Sequence, residues 1–352
     1  MKVAVILSSN TCYAPHMYHY IRILKEQKID FDIIIWNKDN IEEEDCISYT
    51  RFSDLNESRL YRIKSYFGYS KFVRHVLNRN KYDRVIVFTI FLGLLLYPYL
   101  KNKFKNYYYF DVRDYSPILN FFPSIIKPVI KNSFCTSISS PGFLKWLPKS
   151  KKYVISHNYN FNEESSSVEN DLEVKLKHII LTIGFLRDYE VNKNIIISFK
   201  DRKEIALKFV GRGLAYQPLL NFVKRNNIQN VEFTGGYDKK NEVEYLKKAT
   251  LINILLGDDL NSKTLMTNRL YLAISNKIPV IVNKKSMQGE YVQKYNLGIA
   301  IDNKELINDA VSNYLTCFDR EEFLKGCTKF LSIIQSDQEQ FELCFRDFLV
   351  KK

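Results

Sequence analysis

Ile179-Ile180-Leu181-Thr182-Ile183-Gly184-Phe185-Leu186-Arg187 sets out the plan of the chain in miniature: a short apolar, β-branched run, then glycine, then arginine. A run of that length reads as a buried strand, and a glycine at its end lets the backbone turn tightly and approach an anion. The same grammar recurs downstream. Run 206–210 leads into Gly211-Arg212-Gly213, run 231–234 into Gly235-Gly236-Tyr237, and run 251–256 into Gly257-Asp258. Runs 279–282 and 298–301 bring this half to six.

Toward the N-terminus a second set of six appears, at 3–7, 31–36, 84–90, 107–112, 135–139 and 153–156. Helix-sized intervals separate the runs; in the first, Met17, Tyr20, Ile21, Ile23 and Leu24 mark one helical face. Strands alternating with helices imply parallel sheets covered on both faces. The fold class is therefore α/β, with two Rossmann-like domains. Open α/β sheets bind ligands outside the carboxyl ends of their strands, so two such domains are expected to face a central cleft. The first domain is placed at 1–160, a linker at 161–175 and the second domain at 176–335. The linker carries Glu163, Glu164, Ser165, Ser166 and Ser167 and has little to bury. Residues 336–352 are expected to form a C-terminal helix packing back on the first domain.

The 352 residues suit two domains of roughly 150 each, and 46% hydrophobic content is enough for two cores. With 26% charged residues, 12 Gly and 9 Pro, the composition excludes a disordered or fibrous chain. Net charge is +13, and it is uneven. Residues 1–160 carry 24 basic against 13 acidic side chains, and residues 46–160 carry 19 against 5. The cationic half points to a phosphorylated substrate, an anionic membrane or a nucleic acid, with solubility as the plain alternative. The six cysteines form no Cys-x-x-Cys pair, and the five histidines show no metal-ligand spacing, so no metal or other cofactor is expected. A reduced, cytoplasmic setting is expected. The chain opens on a strand-length apolar run rather than a secretory core. Its longest uncharged stretch, 85–100, is 16 residues, short of the roughly 18–20 of a membrane span.

No Gly-x-Gly-x-x-Gly fingerprint and no Gly-x4-Gly-Lys-Ser/Thr loop is present, which disfavours nicotinamide enzymes and P-loop NTPases. Arg187 and Lys193 follow the strand-end Gly184. Aimed at a diphosphate, they would neutralise its charge and the charge developing on a leaving nucleotide; the other reading is a solvated basic loop. Asp114 and Arg113 end a strand in the first half, and His157 ends another. Asp114 beside Arg113 would stay ionised and could bind or deprotonate a hydroxyl; a simple salt bridge between them is the alternative. Segment 59–84 interleaves Arg62, Lys64, Lys71, Arg74 and Arg79 with Tyr61, Tyr66, Phe67, Tyr69 and Phe72. Such a mixture suits an anionic membrane interface, single-stranded nucleic acid, or a solvated helix with aromatics turned inward.

Thr267-Asn268-Arg269-Leu270-Tyr271-Leu272-Ala273, with Ile278-Pro279-Val280-Ile281-Val282, resembles the Asn-Lys-Leu-Tyr/Phe-Glu-Tyr/Ala…Gly-Lys-Pro-Val-Ile signature of GT-B-fold glycosyltransferases of the family four type. Bacterial capsule and exopolysaccharide enzymes are the most similar. The likeness extends over Gly289-Glu290-Tyr291-Val292, Asn296-Leu297-Gly298, the Gly184 and Gly235 segments, and Asp111-Val112-Arg113-Asp114. It also takes in Ser139–Phe143 in sequence and Ser156-His157-Asn158.

The resemblance implies a GT-B fold, with an acceptor-binding first domain and a donor-binding second domain. It implies transfer from a nucleotide-diphosphate sugar to a saccharide on polyprenyl diphosphate, retaining and without metal. Donor contacts are then expected at Gly184, Arg187, Lys193, Gly211, Arg212, Gly235, Tyr237, Asn268, Arg269, Leu272 and Glu290. Acceptor contacts are expected at Ser9, Arg113 and Asp114, and catalytic roles at Asp114, His157, Arg187 and Lys193. In this setting the basic surface is read as holding the protein at the inner face of the membrane, and no nucleic acid is expected. One departure stands out: where the family has two glutamates eight apart, this chain has Thr264 and Leu272, which cannot hold a ribose diol as a carboxylate does. A nucleotide-sugar epimerase of the same fold, a non-catalytic partner subunit and a polyanion-binding protein are the alternatives. Donor sugar, base, linkage and oligomeric state are not written in the sequence.

Overall fold

The structure, a computed structural model, describes residues 1–52, 58–159, 177–302 and 306–351. The linker expected at 161–175 lies outside these residues. The chain divides into two compact units, one of Met1–His157 with Ser336–Lys352 and one of Asn158–Gln335.

In the first unit, strands β1 (Lys2–Ile6), β2 (Asp30–Asn37), β3 (Cys46–Thr50), β4 (Arg84–Phe88), β5 (Tyr108–Val112), β6 (Thr136–Ile138) and β7 (Tyr153–Ile155) make one sheet. Its order is β3-β2-β1-β4-β5-β6-β7, and every pairing is parallel. Helices α1 (Met17–Glu26), α2 (Arg59–Asn80), α3 (Ile90–Lys103), α4 (Ile118–Phe121) and α5 (Lys127–Asn132) connect the strands. β1, β4 and β5 are buried almost throughout, as central strands of a doubly covered sheet must be. β3 is the strand that periodicity does not reveal. It pairs on one side only, and its Cys-Ile-Ser-Tyr-Thr run is half-buried.

In the second unit, β8 (His178–Ile183), β9 (Ile205–Val210), β10 (Val231–Gly235), β11 (Leu251–Asn253), β12 (Val280–Asn283) and β13 (Gly298–Ile301) form a parallel sheet of order β10-β9-β8-β11-β12-β13. Helices α6 (Tyr189–Phe199), α7 (Tyr216–Arg225), α8 (Glu242–Lys248), α9 (Leu260–Thr264), α10 (Asn268–Ser275), α11 (Met287–Tyr295) and α12 (Ile307–Thr316) cover it. β11 stops three residues before its apolar run does. The Asn253 side chain accepts from the Leu255 backbone N–H at 3.0 Å and turns the chain out of the ladder.

The last helix, α13 (Arg320–Val350), contributes to both cores. Phe323, Cys327, Phe330 and Ile334 are buried in the core of the second unit. Phe341, Phe345, Phe348 and Leu349 are buried with Val3, Val5, Tyr20 and Tyr109 in the first. The spacing of three and four keeps each set on one helical face. Burying each phenylalanine contributes about 1.5–3 kcal/mol, enough to fix where the C-terminal half of the helix lies.

Candidate active site

The loops after β8, β9 and β10 are stitched into one backbone layer at the carboxyl edge of the second sheet. Gly184 N–H donates to Val210 O at 2.8 Å, Gly211 N–H to Gly235 O at 2.7 Å, and Leu186 N–H to Arg212 O at 3.0 Å. Gly211 has φ +131°, and a Cβ there would lie 2.0 Å from Gly184 O, so no other residue fits. Gly184, at φ +94°, leaves its own face open: a Cβ would meet only the Arg269 guanidinium, at 3.8 Å.

Arg269 lies beside this glycine, and Arg187 acts on Arg269 through space. Arg269, in the first turn of α10, donates from Nη2 to Phe185 O at 2.6 Å. Arg187 donates from Nη2 to Ser262 Oγ at 2.9 Å and from Nε to Asp188 Oδ2 at 3.1 Å. Burial, reinforced by the charge of Arg187, lowers the pKa of Arg269 to about 10. A half-buried guanidinium repelled by a neighbour is poised to gain from a bound anion. α10 adds to the effect. Its N-cap residue Thr267 turns its hydroxyl to Gln288 Oε1 at 2.8 Å instead of capping the helix, and the first turn carries no acidic side chain. Gly184, two guanidiniums and a helix N-terminus without a side-chain cap are together chemically suited to phosphate oxygens.

A groove of about 490 Å³ continues from this layer, lined by Arg212, Gly213, Tyr216, Gln217, Thr234, Gly235 and Gly236. Tyr237 lies within the field of Arg269. Burial raises the pKa of its phenol, which donates to Glu242 Oε2 at 2.8 Å.

Other expected donor residues lie elsewhere. Lys193 is on the α6 face turned to α7: its ammonium pairs with Glu190 at 3.6 Å and sits over Tyr189 and Phe222 at 5.5 and 5.7 Å. The structure does not bring it to Arg187, because i, i+4 spacing aligns it with Tyr189 rather than with the loop. Leu272 packs against the hydrophobic core, and Thr264 is buried with its hydroxyl donating to Leu260 O at 2.7 Å. Asn268 is exposed at the start of α10, and Glu290 is exposed in the first turn of α11.

In the first unit the strand-end residues are arranged differently from the sequence expectation. Arg113 is buried and forms a bidentate pair with Asp111, at 2.5 and 2.6 Å. It also donates to Ser156 O at 2.7 Å and Ser156 Oγ at 3.1 Å. Tyr20 completes the network, its hydroxyl bonded to Asp111 and, at 3.0 Å, to Ser137 Oγ. Alternation brings residues 111 and 113 to one face, and Asp114 is exposed. His157 is fully buried, its Nε2 3.0 Å from Asp337 Oδ2 on α13. The ring has no exposed surface, so the structure gives no support to the direct catalytic role expected for it. Burial lowers its pKa, against the opposing pull of Asp337. His16 and His19 on the α1 side are lowered too, first by burial and then by Arg113. Ser9 is half-buried in the loop after β1.

No family model and no curated protein matches the chain by sequence. Solved structures do match it in shape. Sucrose-phosphate synthase from Thermosynechococcus elongatus superposes with a TM-score of 0.73 over 100% of both chains, at 11% identity. The lipopolysaccharide outer core galactosyltransferase WaaB gives 0.64 over 99% of both chains at 15% identity. WaaG, a glycosyltransferase involved in lipopolysaccharide biosynthesis, gives 0.66 over 99% of this chain and 100% of its own, at 13% identity. The fold is that of the GT-B glycosyltransferases.

Within this GT-B fold the residues that sequence reasoning missed are those that hold others in place. Ser262, Gln288, Asp111 and Asp337 each fix a neighbour rather than face a loop. No spacing rule reveals Asp337, which reaches His157 from 180 positions away. Asp111 was legible in principle, two residues before Arg113 on the same strand face. Among the described residues no group of three His, Cys, Asp or Glu side chains is arranged to hold a metal ion.

Proposed function

We propose that the protein is a glycosyltransferase that takes a sugar from a nucleoside diphosphate donor bound to the second unit. The observation that carries this reading is Arg269 beside the open face of Gly184 and within the field of Arg187, at the N-terminus of α10. In this reading the diphosphate lies on that face. The two guanidiniums take up the charge that grows on the leaving nucleotide, the part a bound metal would otherwise play, so transfer needs none. Lys193 has no part in it. The groove beside Arg212, Gly235 and Gly236 accepts the nucleoside. On the acceptor side, Asp114 offers an exposed carboxylate after β5, with Arg113 and Asp111 fixing the backbone beneath it.

Two solved structures of the same fold support the donor class. One is described as trehalose-6-phosphate from E. coli bound with UDP-2-fluoro glucose, and it matches at a TM-score of 0.69 with 9% identity. The other concerns glycosyl transfer with retention by a trehalose-6-phosphate synthase, at 0.71 and 10%. Retention is accordingly the stereochemistry proposed here.

The acceptor proposed is a lipid-linked saccharide of surface polysaccharide synthesis, met at the inner face of a membrane. No helix among the described residues is long and apolar enough to cross a bilayer. Attachment would be peripheral, through Leu60, Tyr61, Ile63 and Phe67 on α2 and Phe121, Phe122 and Ile125 after β5, all exposed. Lys64, Lys71 and Arg74 are exposed beside the first group, whereas Arg62, Tyr66 and Tyr69 turn toward the sheet. The buried Thr264 and the core-packed Leu272 favour a second reading, a nucleotide-binding subunit without activity.

The test is a thermal-shift screen of nucleoside diphosphates against their nucleosides. The transferase reading expects stabilisation by at least one diphosphate and little by its nucleoside. No stabilisation by any diphosphate would remove the basis for the donor site.

A further inference from the structure

A second cationic site lies at the carboxyl edge of the first sheet, where the strand order reverses. β1 and β4 are neighbours there, with β2 leaving on one side and β5 on the other. Open α/β sheets take ligands at such a reversal. Ser8 follows β1 and Thr89 follows β4, their hydroxyls 3.4 Å apart. Thr89 has φ 72° and ψ 144°, a backbone region that β-branched residues avoid and that is seen mainly at functional sites.

Tyr66 of α2 is the centre of the cluster. Its ring meets Trp36 at 4.9 Å and Phe91, in the first turn of α3, at 4.7 Å. Over this aromatic wall sits Lys38, its ammonium 4.4 Å from the Trp36 ring and 5.3 Å from the Tyr66 ring. Asp39 acts on Lys38 only through space, and burial dominates, lowering its pKa to about 8. Glu43 is taken up by Asn10 Nδ2 at 2.9 Å and by Thr11 N–H at 3.2 Å. Arg62, one helical turn before Tyr66, has its Nε buried with no hydrogen-bond partner among the described residues. Lys38, half-sunk over two aromatic rings, and Arg62, one turn from Tyr66, make no ion pair among the described residues, a costly arrangement unless an anion completes it.

We propose that Lys38 and Arg62, backed by Tyr66 and Trp36 and opening on Ser8 and Thr89, form a phosphate-binding subsite in the first unit, and that its ligand is the phosphorylated end of the acceptor. Calling the ligand an acceptor rests on the transferase reading; phosphate binding does not. A phosphate ester or diphosphate carried by a lipid and one carried by a soluble sugar present the same oxygens to these cations. The aromatic wall suits the carbon skeleton attached to either.

The experiment titrates the full chain with pyrophosphate, glucose 6-phosphate and detergent-solubilised farnesyl diphosphate, following heat. Wild type is compared with Lys38→Met, Arg62→Met, Lys38→Arg and Arg269→Met. Lys38→Met and Arg62→Met are each expected to weaken one phosphate-binding step by roughly tenfold or more, the loss of one charge-assisted contact. Lys38→Arg and Arg269→Met are expected to retain that step. Tighter binding of farnesyl diphosphate than of glucose 6-phosphate would make the source a lipid, and the reverse order a soluble sugar; both support the site. Lys38→Met should melt no lower than wild type, since it removes a half-buried ammonium, so loss of binding will not reflect loss of fold. A phosphate step sensitive to Lys38 would stand even if no nucleoside diphosphate bound. If nucleoside diphosphates bind and Lys38→Met leaves every phosphate titration unchanged, the subsite is refuted.

Discussion

Replacing Arg269 by methionine separates binding from stability in opposite directions. In the unliganded protein its guanidinium donates to one carbonyl, Phe185 O, and lies within the field of Arg187. Burial and that like charge lower its pKa to about 10, so the guanidinium is held under electrostatic strain. A diphosphate relieves the strain by supplying charge-assisted hydrogen bonds worth about 1.5–3 kcal/mol, a factor of roughly ten to a hundred in affinity. Arg269→Met should therefore weaken a nucleoside diphosphate by that factor and change the affinity for the matching nucleoside by less than about twofold. Methionine covers similar apolar surface without charge, so the melting temperature of the unliganded variant should not fall. The assay is calorimetric titration of both ligands, with thermal melts of both proteins in the absence of ligand. Equal loss for diphosphate and nucleoside, in a variant that melts like wild type, would refute the assignment of Arg269 to the phosphates.

Three further outcomes are expected. Transfer activity should persist in EDTA, because Arg187 and Arg269 carry the phosphate charge; complete loss restored by magnesium or manganese would contradict this. Neutralising Lys64, Lys71 and Arg74 together should cut binding to anionic vesicles at low salt by roughly a hundredfold, at about 1 kcal/mol per basic residue. Co-sedimentation that is unchanged would move the membrane contact elsewhere. Stability of the first unit should drop in acid: His16, His19 and His157 all have folded pKa values below the unfolded 6.5, and His19 lies at about 4. The unfolded chain then binds more protons between these values, so the contribution is complete above about pH 6.5 and is lost as pH falls toward 4. A denaturation midpoint that does not move from pH 7 to pH 5 would count against the burial of these rings.

Strands were legible where both faces are buried, because apolar runs such as 84–88 and 108–112 need no partner to be recognised. β3 was not, since an edge strand buries too little to write a pattern. The Gly184 and Gly211 loops were legible because positive φ and close backbone approach require glycine, whatever packs around them. The charged residues were harder. Arg113 sits beside Asp114 in sequence but pairs with Asp111, and only strand alternation tells the two carboxylates apart. Lys193 follows Arg187 closely, yet helical phase carries it to Tyr189 and Phe222. His157 was marked by its position after a strand, while the partner that buries it arrives on the last helix.

Acceptor-free hydrolysis tests the central claim most directly. The full chain is incubated with a panel of sugar nucleotides, and release of nucleoside diphosphate is followed for wild type and Arg269→Met. The account predicts slow release from at least one sugar nucleotide by wild type and a loss of most of it in the variant. Sugar nucleotides that bind but release no nucleoside diphosphate with wild type would contradict a transferase and leave a nucleotide-binding subunit in its place.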